Sequence, residues 1–175
     1  MPKYPAQKDN ETRETVFSPC RKYRYYLAQI WDENKPPLYW LMLNPSTADE
    51  QINDPTVEGC EQRARKWGYG GSVVLNIFAW RATDPENLKK CANPIGDDND
   101  LWMHKLAVLS QTHDVIAAWG EHGAHENRGQ AVLDIFRQKE GRLQALIMNQ
   151  SGAPRHPLYI KRSVRPTPFF PIPKI

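Results

Sequence analysis

The sequence predicts a three-layer α/β/α fold, in which helices cover both faces of a mostly parallel central sheet. Two observations lead to this prediction. Short apolar runs of strand length alternate along the chain with amphipathic segments of helical period, which is typical of βαβ units. The length of 175 residues also suits a single domain with a core of its own.

The expected domain spans residues 21–165, between an N-terminal tail at 1–20 and a Pro-rich C-terminal tail at 166–175. Within this domain, residues 21–31 alternate polar and apolar side chains and predict the first strand. The turn residues that follow predict an N-terminal β-hairpin between this strand and an apolar strand at 38–44.

The later elements continue the alternation. Asp54 directly precedes Pro55, which is the usual order of an N-cap and the first residue of a helix. The further strands are predicted at 72–80, 114–120 and 143–149, and the further helices at 97–113 and 127–139.

Composition excludes several classes of protein. No apolar stretch approaches the roughly 20 residues that cross a bilayer, and the N-terminus lacks a secretory pattern, so a cytoplasmic protein without a membrane partner is expected. Cys20, Cys60 and Cys91 form no CxxC pair, and the spacing of His122 and His125 does not match HExxH. We therefore expect no disulfide framework, no metal and no cofactor; a monomer is the favoured state.

Positive charge is concentrated near the C-terminus. The formal charge is only +3, but residues 141–175 contain no Asp or Glu. This segment suits the phosphate backbone of DNA or a nucleotide, or is a solvated basic tail. Its basic residues are Arg142, Arg155, Lys161, Arg162, Arg165 and Lys174.

The predicted strands end in polar loops that should meet at one edge of the sheet, where α/β proteins bind ligands. Asn44 and Asn76 each directly follow an apolar run. Their amides can pair with the edge of a heterocyclic base, although Asn also commonly ends a strand by bonding to its own turn.

The same loops contain further candidates with two interpretations each. Ser46, Thr47 and Asp49 either activate a water molecule or cap the following turn. Arg81 either pairs with Asp84 or reaches a phosphate or carboxylate of a ligand.

Two later loops complete the predicted edge. Gly120, after Trp119, is either a simple turn glycine or a place where a ligand approaches the backbone closely. His156 lies between Arg155 and Pro157 in a Pro-bound segment. Such a segment would hold a neutral imidazole as a donor to a leaving group, or else the histidine is only packed by its prolines.

The motifs LNPSTAD, NDPTV, RATDP, AWG and PRHPLY, spread over about residues 23–162, resemble a bacterial and phage family described as a domain of unknown function. Their order is also similar to that in the uracil-DNA glycosylase superfamily. There, a first strand ends in a Gly-x-Asp/Asn-Pro type motif, a second in Asn, a third in an apolar-Gly turn, and a final loop carries His-Pro-Ser. The corresponding pieces here are LNP, VVLN, AAWG and RHPLYIKR.

This resemblance implies a glycosylase-like fold and a DNA glycosylase-like function, namely recognition of a base in nucleic acid and hydrolysis of its N-glycosidic bond. It implies that Asn44, with Asp49 behind it, orients the attacking water or stabilises the sugar cation, and that His156 bonds the leaving base. The implied base contacts are Pro45, Ser46, Asn76, Arg81, Trp119 and Gly120, and the implied phosphate contacts are Arg155, Tyr159, Lys161 and Arg162.

Two other functions stay open. One is a non-catalytic nucleic-acid-binding module that keeps the pocket without hydrolysis. The other is a small enzyme that acts on free nucleotides or on modified bases in phage DNA modification.

Overall fold

Seven strands form one mixed sheet at the centre of the structure, a computed structural model that describes residues 11–46 and 54–171. Segments rich in β-branched and aromatic residues supply most of the strands, because such residues pack well on a pleated surface. The strands are β1 (Thr12–Phe17), β2 (Arg24–Ile30), β3 (Pro37–Met42), β4 (Gly71–Asn76), β5 (Val115–Ala117), β6 (Leu143–Ala145) and β7 (Thr167–Phe170).

The spatial order of the strands is β1-β2-β4-β3-β5-β6-β7. The central strands β4, β3, β5 and β6 are parallel, whereas β1, β2 and β7 pair antiparallel at the two sides. The prediction of a mostly parallel sheet is therefore wrong, because three pairings are parallel and three are antiparallel. An apolar run shows that a strand is buried but does not encode the direction of its neighbours.

The predicted N-terminal hairpin is also wrong. The first predicted strand exists as β2, but it lies between β1 and β4 and pairs antiparallel with both instead of joining β3. Both β1 and β7 lie in segments that were expected to be tails, so regular structure extends past residues 21 and 165. Pro168 suits β7 because an edge strand can lack a backbone N–H without losing a ladder bond.

Four α-helices connect the parallel strands or flank the sheet within the described ranges. As predicted, Asp54 caps the first helix, and its Oδ1 accepts a hydrogen bond from the Val57 backbone N–H at 2.8 Å. The helices expected at 97–113 and 127–139 are present. The helices are α1 (Pro55–Lys66), α2 (Pro85–Lys90), α3 (Asn99–Leu109) and α4 (Arg128–Gln138), with 3₁₀ turns at Glu121–Asn127 and Pro157–Tyr159.

The core lies in two layers, one on each face of the sheet. Tyr39 and Leu41 of β3 pack with α3 and α4, whereas Trp40 and Met42 of the same strand pack with α1. This alternation follows from the two-residue period of a strand. It places helices on both faces, as the sequence predicts. Across residues 11–46 and 54–171, no helix has the length and apolar character needed to span a bilayer.

Side chains from two helices hold the carboxyl end of β4. Asn99, at the start of α3, donates from Nδ2 to the carbonyl oxygens of Asn76 at 3.1 Å and Ile77 at 2.8 Å. Arg128, at the start of α4, donates from Nε to the same Ile77 oxygen at 2.7 Å. These bonds satisfy buried carbonyls where the sheet ladder ends, and they fix the backbone of Asn76.

Replacing Asn99 by leucine is expected to lower the free energy of unfolding by about 1–3 kcal/mol, because the Asn76 carbonyl loses its side-chain donor and the Ile77 carbonyl keeps only Arg128. Urea unfolding followed by circular dichroism measures this change. The exposed Asn87 of α2 provides a matched control, since Asn87→Leu should change stability by no more than about 0.5 kcal/mol. Equal effects of the two substitutions would contradict the anchoring role of Asn99.

Candidate functional site

The polar strand ends border one cavity of about 530 Å³. Asn44 follows β3, Asn76 ends β4, Gly120 follows β5, and His156 lies in the loop after β6. All four residues line the cavity. Of the other residues predicted for the site, Ser46, Arg155 and Tyr159 also line it.

The strand order explains why the cavity forms at this place. Along the chain the parallel strands appear as β3, β4, β5 and β6, but in space β4 and β5 lie on opposite sides of β3. The chain passes from β3 through α1 to β4 on one side, and then from β4 through α2 and α3 back across β3 to β5 on the other side. The two crossovers therefore run in opposite directions, which opens a crevice beyond the carboxyl end of β3. Doubly wound α/β proteins bind ligands at this kind of switch point.

The Asn44 amide both holds a loop and offers an acceptor. Its Nδ2 donates to the Ala82 carbonyl at 2.8 Å and to the Pro45 carbonyl at 3.2 Å. The amide nitrogen is thus used by the protein, as the turn interpretation of the sequence requires. Its Oδ1 accepts no hydrogen bond from the described residues, so it is the atom that Asn44 can offer to a ligand or water.

The Asn76 side chain has the opposite character. Asn76 is only 2% exposed, and within the described ranges its Nδ2 is buried without a hydrogen-bond partner. Burial of an amide donor without an acceptor is unfavourable by about 1–3 kcal/mol. Because Asn76 also lines the cavity, a ligand acceptor would relieve this penalty.

His156 is held as a neutral imidazole. Burial lowers the pKa of its ring below the ordinary value. Its Nδ1 accepts a long hydrogen bond of 3.4 Å from the Leu158 backbone N–H, so Nε2 carries the proton of the neutral ring. Gly120 beside it adopts a φ of +69°, which favours glycine, and its N–H donates to the Pro154 carbonyl at 2.8 Å.

Arg63 of α1 positions the loop that carries His156. It is 3% exposed, and its Nη2 donates to the carbonyl oxygens of Pro157 at 3.2 Å and Ile160 at 2.6 Å. The sequence interpretation missed this residue. The available signal was an arginine next to Ala64 and one helical turn after Cys60, on the face of α1 that packs against the sheet.

Arg24 is the second residue that the sequence interpretation missed. It lies at the start of β2, is 5% exposed and lines the cavity. Burial lowers its pKa to about 10, so the guanidinium stays charged at neutral pH. The sequence did not indicate this burial, because an arginine next to three aromatic or apolar residues in a strand usually points to solvent.

Asp54 and Glu121 are the carboxylates that the described residues place at the cavity. One Asp54 oxygen accepts from the Val57 N–H, and the other accepts from the Ser46 hydroxyl at 3.0 Å. Asp54 therefore ties the start of α1 to the loop after β3, and its negative charge acts on Arg24 and His156. Thr47 and Asp49, which the sequence also nominates, lie outside the described residues.

Two of the predicted base contacts support the site from outside the cavity lining. The Pro45 carbonyl accepts from the Ala82 N–H at 2.9 Å, which closes the loop beside Asn44. Trp119 is 4% exposed and packs in the core, with its ring edge-on to Phe169. Neither side chain is brought together with the cavity residues in the part of the chain that the structure describes.

Three basic residues that were predicted to contact a ligand also lie outside the cavity lining formed by the described residues: Arg81, Lys161 and Arg162. Arg81 donates from Nη1 to the Arg21 carbonyl at 3.1 Å, and its guanidinium lies over the Phe17 ring. Lys161 and Arg162 are exposed on the surface beyond the His156 loop. Arg155 does line the cavity, and its Nε donates to Asn149 Oδ1 at 2.7 Å.

The described residues contain no group of three or more His, Cys, Asp or Glu side chains that could hold a metal ion. The polar groups that line the cavity are amides, imidazoles, guanidinium groups and carboxylates. Together these can bind a polar heterocycle, hold a water molecule and stabilise negative charge.

Comparisons with known proteins give one partial and one broad match. The catalytic subunit of an aspartate carbamoyltransferase from Pelotomaculum thermopropionicum is 34% identical over 92 residues, which is 47% of this chain and 30% of that protein. The chain thus spans under a third of the length of this relative. No solved structure matches the chain significantly. The model of the family described as protein of unknown function (DUF1643) matches residues 24–158, and the chain therefore belongs to this family.

Proposed function

We propose that the cavity binds a base of a nucleic acid and supports hydrolysis of its N-glycosidic bond, as in a DNA glycosylase. The observation that carries the proposal is the buried Asn76 amide, which lines the cavity and has no acceptor for its Nδ2 among the described residues. The cavity volume of about 530 Å³ supports a ligand of the size of a nucleoside.

Asn76 is the proposed reader of the base. A buried donor without a partner rejects ligands that cannot accept its hydrogen bond, because the unfavourable burial then persists in the complex. A carbonyl oxygen or an unprotonated ring nitrogen on the base edge would satisfy it. Asn76 therefore sets which base is accepted, more than how tightly any base binds.

Asn44 and His156 are the proposed catalytic groups. Water adds to C1′ of the sugar as the bond from C1′ to the base nitrogen breaks, and the electron pair leaves with the base. Asn44 Oδ1 orients the water, while the Nε2–H of His156 donates to the departing base and stabilises its negative charge. Asp54 takes the proton that the water loses, which finally reaches the base; Asp49 is the alternative acceptor that the sequence nominates.

A base in a duplex must leave the stack before it can enter such a cavity. Tyr159 is 84% exposed beside the cavity, and Arg155 is exposed next to His156. An aromatic ring and a guanidinium at the rim suit contacts to the flanking base and phosphate. These residues favour a base within a polymer over a free base.

The first test is incubation with duplex and single-stranded oligonucleotides that carry uracil, hypoxanthine or modified pyrimidines, followed by detection of abasic sites. We expect cleavage of at least one substrate. His156→Ala should lower the rate by about 100- to 1000-fold, because it removes the donor to the leaving group. Asn44→Ala should lower it by about 100-fold or more through loss of the water contact.

His104→Ala, in α3 and outside the cavity lining, is the matched control and should cleave at the wild-type rate. Wild-type rates in both Asn44→Ala and His156→Ala would refute the site assignment. Salt-sensitive binding without abasic sites would instead identify the non-catalytic binding module.

Asn76→Leu is expected to raise the free energy of unfolding of the ligand-free protein by about 1 kcal/mol or more, because it removes a buried donor that has no acceptor among the described residues. The same substitution should abolish selection among bases in the oligonucleotide assay. Chemical unfolding of the ligand-free protein measures the first effect. Asn99→Leu is the control of opposite sign, and a loss of stability in both variants would show that Asn76 is structural.

The neutral state of His156 predicts a pH dependence of stability. Its pKa in the folded protein is lowered from 6.5, so the unfolded chain takes up the proton first as the pH falls. This contribution to stability is fully present above pH 6.5 and is lost as the pH falls through the lowered pKa. Unfolding from about pH 7.5 to about pH 5 should show a shallower decline in His156→Gln than in wild type. Parallel curves would contradict a half-buried imidazole that is kept neutral.

A further inference from the structure

We propose that Arg24 binds an oxyanion carried by the ligand, either a phosphate or a carboxylate, at the side of the cavity nearest β2. The substrate is then an anionic nucleotide or a base with an acidic substituent, and not an uncharged base. The statement about substrate class rests on the proposed function. The binding of an oxyanion by Arg24 does not.

A β-bulge directs Arg24 into the cavity. Consecutive residues of β1 pair with Tyr26 and then with Arg24, so Tyr25 is an extra residue on β2. After the bulge along β2, Tyr26 packs on the α3 and α4 face and Leu27 packs on the α1 face. Strict alternation would place Arg24 on the same face as Tyr26. The extra residue instead turns it to the α1 face, where the cavity lies, and bulges commonly redirect side chains in this way.

The Arg24 guanidinium forms no ion pair in the part of the chain that the structure describes. No carboxylate of residues 11–46 or 54–171 forms an ion pair with it, and its Nε is buried without a hydrogen-bond partner. Asp54 is the acid whose charge acts on it, but both Asp54 oxygens already accept hydrogen bonds from Val57 and Ser46. A buried cation without a partner is strongly unfavourable unless a ligand supplies the negative charge.

The surroundings fit an oxyanion better than another group. The planar guanidinium presents several N–H donors in a fixed fork, which matches the two oxygens of a carboxylate or phosphate. Asn76 lines the same cavity and adds an unpaired N–H donor. Within the described residues, these are the two buried lining groups that need an acceptor, and one anionic ligand could satisfy both.

Calorimetric titration of the 175-residue chain with matched pairs of ligands tests the proposal. One pair is each deoxynucleoside and its 5′-monophosphate; another is deoxycytidine and 5-carboxy-deoxycytidine; inorganic phosphate and acetate are titrated alone. We expect the anionic member of at least one pair to bind about 10- to 100-fold more tightly. The pair that shows this preference identifies the source of the oxyanion.

Arg24→Met should reduce that preference to about one, whereas Arg142→Met, an exposed arginine outside the cavity lining, should keep it. Arg24→Lys keeps the positive charge but lacks the planar set of N–H donors, so it should lose most of the preference for the anionic ligand. This variant tests the proposal if Arg24→Met does not fold. An unchanged preference in the Arg24 variants, or tighter binding of the uncharged members by wild type, would overturn the proposal. Abasic-site formation is measured separately, so either proposal can fail while the other stands.

Discussion

The burial of β3 between two parallel neighbours is the constraint on which the rest of the site depends. Trp40 and Leu41 are fully buried on opposite faces of this strand, so β3 cannot move to an edge without exposing one of them. Its parallel pairing with β4 and β5 requires crossovers, and these pass over opposite faces through α1 and α3. The gap beyond Met42 is therefore a result of chain topology, and Asn44 lies in it.

Side-chain donors then make this gap rigid. Where the sheet ladder stops, backbone carbonyls would remain unpaired, and amide or guanidinium groups bind them: Asn99 and Arg128 at the end of β4, and Arg63 in the loop after His156. Each of these residues comes from a helix that packs on the sheet. The packing of the helices and the geometry of the cavity are consequently linked. A shift of α1, α3 or α4 would move the backbone segments that carry the side chains lining the cavity.

Much of this arrangement is readable from the sequence. Apolar runs identify the central strands, Asp54 and Pro55 identify the start of α1, and the asparagines at the strand ends indicate the edge where the cavity lies. Strand direction is not readable, because an apolar run has the same pattern whichever way its neighbour points. The bulge at Tyr25 is equally hidden, because it depends on pairing with a segment that was expected to be a tail. Without it, the orientation of Arg24 could not be predicted.

Arg24 and the Asn76 amide, each with a buried N–H donor that has no acceptor among residues 11–46 and 54–171, also have a thermodynamic consequence for the protein when it is empty. A ligand that pairs with them removes two unfavourable burials from the folded state and has no equivalent effect on the unfolded chain. The resistance of the protein to unfolding is therefore linked to the concentration of its ligand by mass action. In a crude mixture of metabolites, an upward shift of the melting temperature would reveal the ligand without any knowledge of the reaction.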